Sequence, residues 1–162
     1  MEKVTLREYL KANDKDAIKN IVEKTTFFTA EELAIALSLV DEYLGKGESS
    51  GYYFLVLLLN NTIVGYSCYG PIPATKNGYD LYWIVVDPTY QNLGFGSKLL
   101  HKTEQLVEAK GGKRLYAETS STPKYSSTRH FYTKNGFVLE AIQKEYYNDN
   151  DDKFLYVKSL EI

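Results

Sequence analysis

The segment 91–96, Gln-Asn-Leu-Gly-Phe-Gly, is the sequence feature that most limits what this chain can fold into. It follows an apolar strand pattern that ends at Val86 and precedes a helical pattern that starts near Ser97. A helix start after a glycine loop suits a phosphorylated ligand, because the first N–H groups of a helix and its dipole both favour an anion. Gly94 and Gly96 carry no β-carbon, so the backbone can approach a pyrophosphate closely. The pattern predicts a ligand held mainly by main-chain groups.

Two well-known nucleotide loops fit this segment poorly. A P-loop needs Lys and then Ser or Thr directly after its last glycine, whereas Ser97 and Lys98 follow Gly96 with too short a spacing. A Rossmann fingerprint needs a third glycine where this chain has Leu99. A glycine-rich turn without any ligand remains the alternative.

The size and composition favour one globular domain over residues 1–162. The chain has 162 residues, 44% of them hydrophobic, which is enough for one core and too short for two ordinary domains. Its formal net charge is −2, and Lys and Arg are spread along the chain, so we expect no nucleic-acid partner.

The cysteine count and the hydropathy pattern bear on location. Cys68 is the single cysteine, which excludes an internal disulfide framework and fits a reducing compartment. The longest apolar run, 54–59, is too short to cross a bilayer, and the first residues form no apolar signal core. We therefore expect a cytoplasmic protein with no membrane partner.

Periodicity predicts seven strands and four helices. The strands are expected at 4–8, 53–59, 62–69, 79–86, 114–119, 137–147 and 153–160, and the helices after the 13–14 pair, over 29–45, over 97–111 and over 123–135. Asn60 and Asn61 tolerate the left-handed conformations of a tight hairpin. One helix joins the strands at 79–86 and 114–119, so a right-handed crossover makes them parallel neighbours in a mixed sheet.

The second helix carries the clearest end signals. Thr29 with Glu32 three residues later forms a capping-box pattern, and Gly45 is expected to end the helix. Its buried stripe is predicted to comprise Leu33, Ile35, Ala36, Leu37, Leu39, Val40 and Leu44. Phe27 and Phe28 precede this helix, and we expect that both cannot face one core, so that one of them lines a pocket.

Two motifs together resemble a known family. The segment 91–96, preceded by Val-Asp-Pro, is similar to the Gln/Arg-x-x-Gly-x-Gly/Ala loop of the GNAT superfamily of acyl-CoA-dependent N-acetyltransferases. The segment 131–137, Phe-Tyr-Thr-Lys-Asn-Gly-Phe, is similar to the closing helix of that family. The resemblance covers essentially the whole chain.

The resemblance implies a single-domain α/β fold of the α+β kind. In that fold a mixed, mostly antiparallel sheet of about seven strands carries four helices, and its central parallel pair splays to hold acetyl-CoA as cosubstrate. By the same resemblance the backbone of Ile84, Val85 and Val86 pairs with pantetheine. The other cofactor contacts implied are Gln91, Asn92, Leu93, Gly94, Phe95, Gly96 and Ser97 at the pyrophosphate, and Ser127 and Tyr132 near the closing helix.

The chain departs from the family at one cofactor contact. Many members carry an asparagine about seven residues before the tyrosine, and here Tyr125 stands at that place. Ser126 or Ser127 is expected to supply the missing hydrogen bond.

Acetyl transfer to an amine sets the catalytic requirements. An alkylammonium is protonated at neutral pH, so a base or a water relay is needed, and the departing thiolate needs a proton. The resemblance implies Tyr132 as the acid and Glu118 as the base. Asp80 and Tyr82, on the preceding strand, are the alternatives to Glu118. Direct transfer in a ternary complex needs no enzyme nucleophile, so Cys68 is read as an ordinary strand residue.

The acceptor is less constrained than the cofactor. We expect a primary amine of a small molecule, an amino acid among the possibilities, or of a peptide, with Phe28 and Tyr82 as substrate contacts. No metal is expected, because neither His101 nor His130 has a second ligand at metal spacing. The protein is expected to be a monomer or a homodimer. The alternative functions are a non-catalytic acyl-CoA-binding sensor or interaction module and, ranked last, a nucleotide-binding module.

Overall fold

A seven-stranded mixed sheet with four α-helices forms the fold in the computed structural model, which describes residues 1–160. The strand order is β1-β2-β3-β4-β5-β7-β6. The strands are β1 Val4–Arg7, β2 Tyr53–Leu59, β3 Thr62–Pro71, β4 Gly78–Val86, β5 Arg114–Ser120, β6 Val138–Asn148 and β7 Asp151–Ser159. The helices are α1 Asp14–Lys24, α2 Ala30–Lys46, α3 Phe95–Ala109 and α4 Ser126–Lys134. The predicted order of elements is confirmed.

The predicted strand pairing is confirmed as well. β4 and β5 run parallel, with Cα partners from Gly78 with Arg114 to Asp80 with Tyr116. The pairs β1–β2, β2–β3, β5–β7 and β6–β7 are antiparallel. The sheet is therefore mixed and mostly antiparallel.

The chain is divided into two compact units. The first comprises Met1–Gly70 and Tyr82–Gln105, and the second comprises Pro71–Leu81 and Leu106–Ile162. A single domain over 1–162 stays a prediction. Within residues 1–160, no helix is long and apolar enough to cross a membrane.

The first unit is built around an apolar cluster beneath α1 and α2. Ile18 and Val22 of α1, Val40 of α2, and Phe54 and Tyr66 of the sheet are each at most 1% exposed. Their alternation along the strands and their helical spacing on α1 place them on one side of the sheet. The β2–β3 hairpin turns through two left-handed asparagines, with φ of 51° at position 60 and 68° at position 61, as predicted.

Helix α3 approaches the sheet closely at Gly65. A β-carbon at Gly65 on β3 would lie 3.0 Å from Leu99 Cδ1 and 3.0 Å from the Val85 carbonyl oxygen. The missing side chain therefore lets α3 pack directly on the strands. Helix α3 starts at Phe95, two residues before the predicted position near Ser97, so part of the expected loop is its first turn.

The predicted course of α2 is correct at its start and wrong at its end. Thr29 Oγ1 accepts the Glu32 N–H at 3.1 Å and Glu32 Oε1 accepts the Thr29 N–H at 3.1 Å, so the capping box is confirmed. The helix continues through Gly45 to Lys46, and Gly47, with φ of 62°, is the C-cap. A left-handed conformation ends a helix, and Gly45 does not adopt it.

The predicted buried stripe of α2 is too wide. Ala36 and Val40 are fully buried, whereas Ile35 is 51% and Leu44 is 37% exposed. Successive helical residues point about 100° apart, so a residue next to a core position turns away from the core. Leu33, Leu37 and Leu39 are partly buried against the cluster.

The second unit contains β5, β7, β6 and α4. β7 lies between β5 and β6, and β6 is an edge strand whose eleven residues are all exposed. Gly112 follows α3, where a β-carbon would lie 2.3 Å from the Val107 side chain and 2.7 Å from Tyr79. The missing side chain lets the backbone at Gly112 lie against Val107 and Tyr79, just before β5 pairs with the first residues of β4.

Candidate active site

The chain leaves β4 through a tight turn held by Asp87. The Asp87 carboxylate accepts the Thr89 N–H at 2.8 Å and pairs with the Lys24 ammonium at 2.8 Å. Burial alone would raise the pKa of Asp87, but the hydrogen bonds from Lys24 and Thr89 hold it below its usual value. The start of the glycine loop is thereby tied to α1.

The loop that follows contains two left-handed residues. Asn92 and Gly94 both have positive φ, 63° and 82°, on either side of Leu93. Left-handed residues that alternate with ordinary ones orient successive N–H groups to form anion-binding concavities. Positions 91–94 are exposed, and a β-carbon at Gly94 would meet nothing within 4 Å.

The first turn of α3 adds further donors. The Lys98 N–H bonds to the Gly94 carbonyl oxygen at 3.0 Å. The N–H groups of Phe95, Gly96 and Ser97 lie ahead of that bond, where an α-helix offers them no acceptor. Left-handed backbone, open space and a helix start therefore form a donor set that fits a diphosphate.

The predicted pantetheine strand lies at the end of β4. Val85 is 5% exposed and belongs to the core cluster of the first unit, whereas Ile84 and Val86 are half-buried. Beyond them the Asp87 N–H bonds to the Val64 carbonyl oxygen at 2.7 Å.

The two predicted substrate contacts pack against the same core. Phe28 meets Trp83 edge-on with ring centroids 5.1 Å apart, and Tyr82 meets Tyr52 at 5.3 Å. Phe27 packs edge-on against Phe28 with ring centroids 5.1 Å apart. The other four rings, those of Phe28, Tyr52, Tyr82 and Trp83, are partly buried against the apolar cluster of the first unit. Their role with substrate stays a prediction.

Tyr132 occupies a buried aromatic cluster of the second unit. It is 6% exposed, and its ring lies 5.3 Å from Phe137, 5.6 Å from Phe131 and 5.8 Å from Tyr156. Burial raises the pKa of the Tyr132 phenol far above its usual value. The hydroxyl therefore keeps its proton at neutral pH, which is the state an acid needs.

The start of α4 is tied to the end of β5 by Arg129. Its guanidinium donates to the carbonyl oxygens of Ser120 and Thr122, each at 2.8 Å. Ser127 lies in the first helical turn and is exposed, and Tyr125 precedes it as the N-cap. The hydrogen bond that Ser126 or Ser127 is expected to supply stays a prediction.

A cluster of charges lies on one face of the second unit. Glu118 pairs with Lys153 at 3.2 Å, where the Lys153 side chain is 12% and the Glu118 side chain 46% exposed. Lys153 also lies over the Tyr146 ring, 4.2 Å from its centroid. Burial and the neighbouring Glu118 raise the pKa of Asp80 to about 6, although Lys153 opposes the shift.

The sequence indicates only part of this cluster. It offers Asp80 and Glu118 as candidates for the catalytic base, but no pattern singles out Lys153, which reaches Glu118 through the antiparallel pairing of β7 with β5. Alternation along β5 already places residues 114, 116 and 118 on one face, so the sequence held a partial signal. Among residues 1–160, no group of three or more His, Cys, Asp or Glu could hold a metal ion.

Comparisons with known proteins agree on the family. The family model described as acetyltransferase (GNAT) family matches residues 16–137. A curated relative, the [ribosomal protein bS18]-alanine N-acetyltransferase of Haemophilus influenzae, is 33% identical over 104 residues, which cover 64% of this chain and 67% of that protein.

Solved structures show the same architecture. A GNAT-family protein from Desulfovibrio desulfuricans is 42% identical with a TM-score of 0.96, covering 98% of this chain and 100% of that one. The PaiA N-acetyltransferase of Thermoplasma acidophilum, solved in complex with coenzyme A, shares the fold with a TM-score of 0.76 at 18% identity, covering 97% and 99%. Since the family model spans most of the sequence, this chain belongs to the GNAT acetyltransferase family.

Proposed function

We propose that the protein is an acetyl-CoA-dependent N-acetyltransferase that acetylates a primary amine of a small molecule or a peptide by direct transfer in a ternary complex. The observation that carries the proposal is the pair of left-handed residues Asn92 and Gly94 directly before α3. A loop of this conformation at the start of a helix suits the diphosphate of coenzyme A, and the loop lies within the residues that match the family.

Main-chain groups bind the cosubstrate in this proposal. The N–H groups of residues 92–97 hold the pyrophosphate, whereas the Gln91 N–H already donates to the Pro88 carbonyl oxygen at 3.3 Å. The backbone of residues 84–86 pairs with pantetheine. Ser127, exposed at the start of α4, takes a further polar contact. The structures of relatives that contain coenzyme A or acetyl-CoA support this cosubstrate.

When bound, acetyl-CoA supplies a thioester whose C–S bond breaks as the C–N bond of the product amide forms. Tyr132 Oη holds the proton that the leaving sulfur requires, and we assign the role of acid to it. This role rests on the match of Tyr132 to the tyrosine of the family's closing helix; burial keeps the phenol protonated at neutral pH but makes it a weaker acid.

Two carboxylates compete to take the proton from the acceptor ammonium. Glu118, the base implied by the resemblance, is exposed and paired with Lys153. Asp80 is half-buried, and its pKa of about 6 lies closer to neutral pH than that of an ordinary aspartate. A base works best when its pKa is near the working pH, so Asp80 is the stronger candidate and Glu118 its neighbour in the same cluster.

A peptide N-terminus has the best support as the acceptor. The relative from Haemophilus influenzae, at 33% identity, is described as acting on an alanine of a ribosomal protein. A small-molecule amine stays the second possibility. The cytoplasmic location and the choice between monomer and homodimer stay predictions from the sequence.

Release of free thiol from acetyl-CoA tests the proposal directly. Purified protein is mixed with acetyl-CoA and a panel of primary amines that includes amino acids, polyamines and peptides, and binding is measured in parallel by calorimetry. We expect binding of acetyl-CoA and amine-dependent release of thiol. If the protein binds acetyl-CoA but releases no thiol with any of the amines, the result supports a non-catalytic acyl-CoA-binding sensor. If ATP competes with coenzyme A better than the adenosine-phosphate half of coenzyme A predicts, the result supports a nucleotide-binding module.

A further inference from the structure

A cleft of about 380 Å³ opens in the second unit where β4 and β5 begin. Its lining combines two cations with hydroxyl and amide groups and includes no acidic residue. The lining residues are Thr75, Asn77, Gly78, Lys113, Arg114 and Tyr116. Two cations that share one cleft create a positive potential that favours an anionic ligand.

Backbone contacts position both cations. The N–H groups of Lys113 and Arg114 both point to the Asn77 carbonyl oxygen, at 3.0 and 3.4 Å. On the other wall, Thr75 Oγ1 donates to the carbonyl oxygens of Ile72 at 2.8 Å and Gly78 at 3.3 Å. One wall is thus held by main-chain hydrogen bonds and the other by the Thr75 hydroxyl, and the charged side chains extend from fixed points.

The cleft shares one sheet face with the carboxylates. Arg114, Tyr116 and Glu118 alternate along β5, and the parallel register pairs Gly78 with Arg114 and Asp80 with Tyr116. One face of this strand pair therefore carries Arg114 at its start and two carboxylates further along, of which Glu118 pairs with Lys153 of β7. At a rise of about 3.3 Å per residue, the basic and acidic positions lie about 7 to 13 Å apart.

We propose that this face selects an acceptor amine that also carries a carboxylate or a phosphate, with the ammonium at Asp80 and Glu118 and the anion in the cleft of Lys113 and Arg114. This inference rests on the proposed function, because it takes the carboxylates as the place of the amine. A free α-amino acid is too short to bridge the face. Peptides with an acidic residue two to four positions from the amine span about 7 to 13 Å, and long ω-amino acids carry the same pair of charges.

Matched acceptor pairs test the inference. The peptide pair is Gly-Gly-Glu and Gly-Gly-Gln, both amidated at the C-terminus, and the small-molecule pair is 6-aminohexanoate and 6-aminohexanamide. We expect kcat/KM, measured by thiol release, to be about tenfold higher for the anionic member of at least one pair, mainly through KM. The preferred pair identifies the source of the anion. The preference should fall as salt is added, since partly exposed charges are screened.

The Arg114→Gln variant assigns the preference to the cleft. We expect the ratio of kcat/KM between anionic and neutral acceptors to fall towards one, whereas Lys19→Gln, which removes an exposed cation on α1, leaves it unchanged. Thermal unfolding verifies that both variants are folded. Equal rates for both members of each pair, or an unchanged ratio in Arg114→Gln, overturn the inference while the proposed function stands. Failure to bind acetyl-CoA or to release thiol with any amine overturns both.

Discussion

Burial sets the protonation state of the side chains proposed for catalysis. Tyr132 lies among Phe131, Phe137 and Tyr156, where an ionised phenolate would lack solvation. Asp80 is half-buried near Glu118, and both effects disfavour its carboxylate. The same environments that pack the second unit therefore keep one group protonated and hold another near its titration point.

Replacing Tyr132 by Phe tests its role as the acid. The ring contacts remain and the proton is lost, so we expect kcat to fall about 10²-fold or more while the Kd of acetyl-CoA changes little. A thiol-release assay measures kcat, and calorimetry measures the Kd of acetyl-CoA. Tyr156→Phe, which removes a hydroxyl from the same cluster, serves as the matched control. An unchanged kcat in Tyr132→Phe removes this residue from the mechanism.

Asp80→Asn tests the base. Since the base must be deprotonated, the wild-type rate should fall as pH drops through about 6, and the variant should lose about 10²-fold or more in kcat/KM. Glu118→Gln, the matched neighbour, should lose less. A larger loss in Glu118→Gln than in Asp80→Asn returns the role of base to Glu118.

Asp80→Asn is expected to lower activity but to raise stability at neutral pH. The pKa of Asp80 is raised from 3.8 unfolded to about 6 folded, so the folded state binds more protons between these values. Stability contributed by Asp80 is therefore present below pH 3.8 and lost as pH rises through 6. We expect Asp80→Asn to raise Tm at pH 7.5 and to lose this advantage near pH 4. A lower Tm at pH 7.5 contradicts the raised pKa.

At the scale of elements, the glycine loop before α3 can be compared with the glycine turn that follows the same helix. Gly94 and Gly111 have φ of 82° and 88°, and a β-carbon at either would meet nothing within 4 Å. An alanine at either position therefore costs similar backbone strain, about 1 to 2 kcal/mol. The two positions differ in that Gly94 lies in the proposed pyrophosphate loop and Gly111 follows the other end of α3.

This pair of glycines gives a matched test of cosubstrate binding. We expect Gly94→Ala and Gly111→Ala to lower Tm by similar amounts, and only Gly94→Ala to weaken acetyl-CoA binding, by about tenfold in Kd. Calorimetry and thermal unfolding measure both. Equal affinities in the two variants would place the diphosphate away from this loop.

At the scale of the whole molecule, binding and folding are linked. A ligand that binds only the folded chain stabilises it by about 2.7 kcal/mol at a hundredfold excess over its Kd. For a chain of this size that corresponds to a rise in Tm of about 5 to 10 °C. We expect this rise with acetyl-CoA in a thermal-shift assay and a smaller one with ATP at the same concentration. Absence of any shift with acetyl-CoA contradicts the proposed cosubstrate.

Local signals in the sequence identified most elements of the fold. The Thr29 and Glu32 capping box, the Asn60-Asn61 hairpin and the crossover between β4 and β5 all depend on neighbouring residues, and all are confirmed. The errors arise where tertiary context decides. Helix α2 passes through Gly45, and Ile35 lies exposed beside the buried Ala36, because the core contacts one narrow line of the helix.

The sequence by itself determined the order of elements, the glycine loop before α3 and the family, since each depends on residues that are close along the chain. Only the tertiary structure decided that Lys153 pairs with Glu118, that Asp80 loses solvation beside them, and that Lys113 and Arg114 share a cleft. These properties depend on strand register and burial. Both arise from contacts between residues far apart in sequence, such as Asn77 with Lys113 and Glu118 with Lys153, so local patterns indicate them only in part.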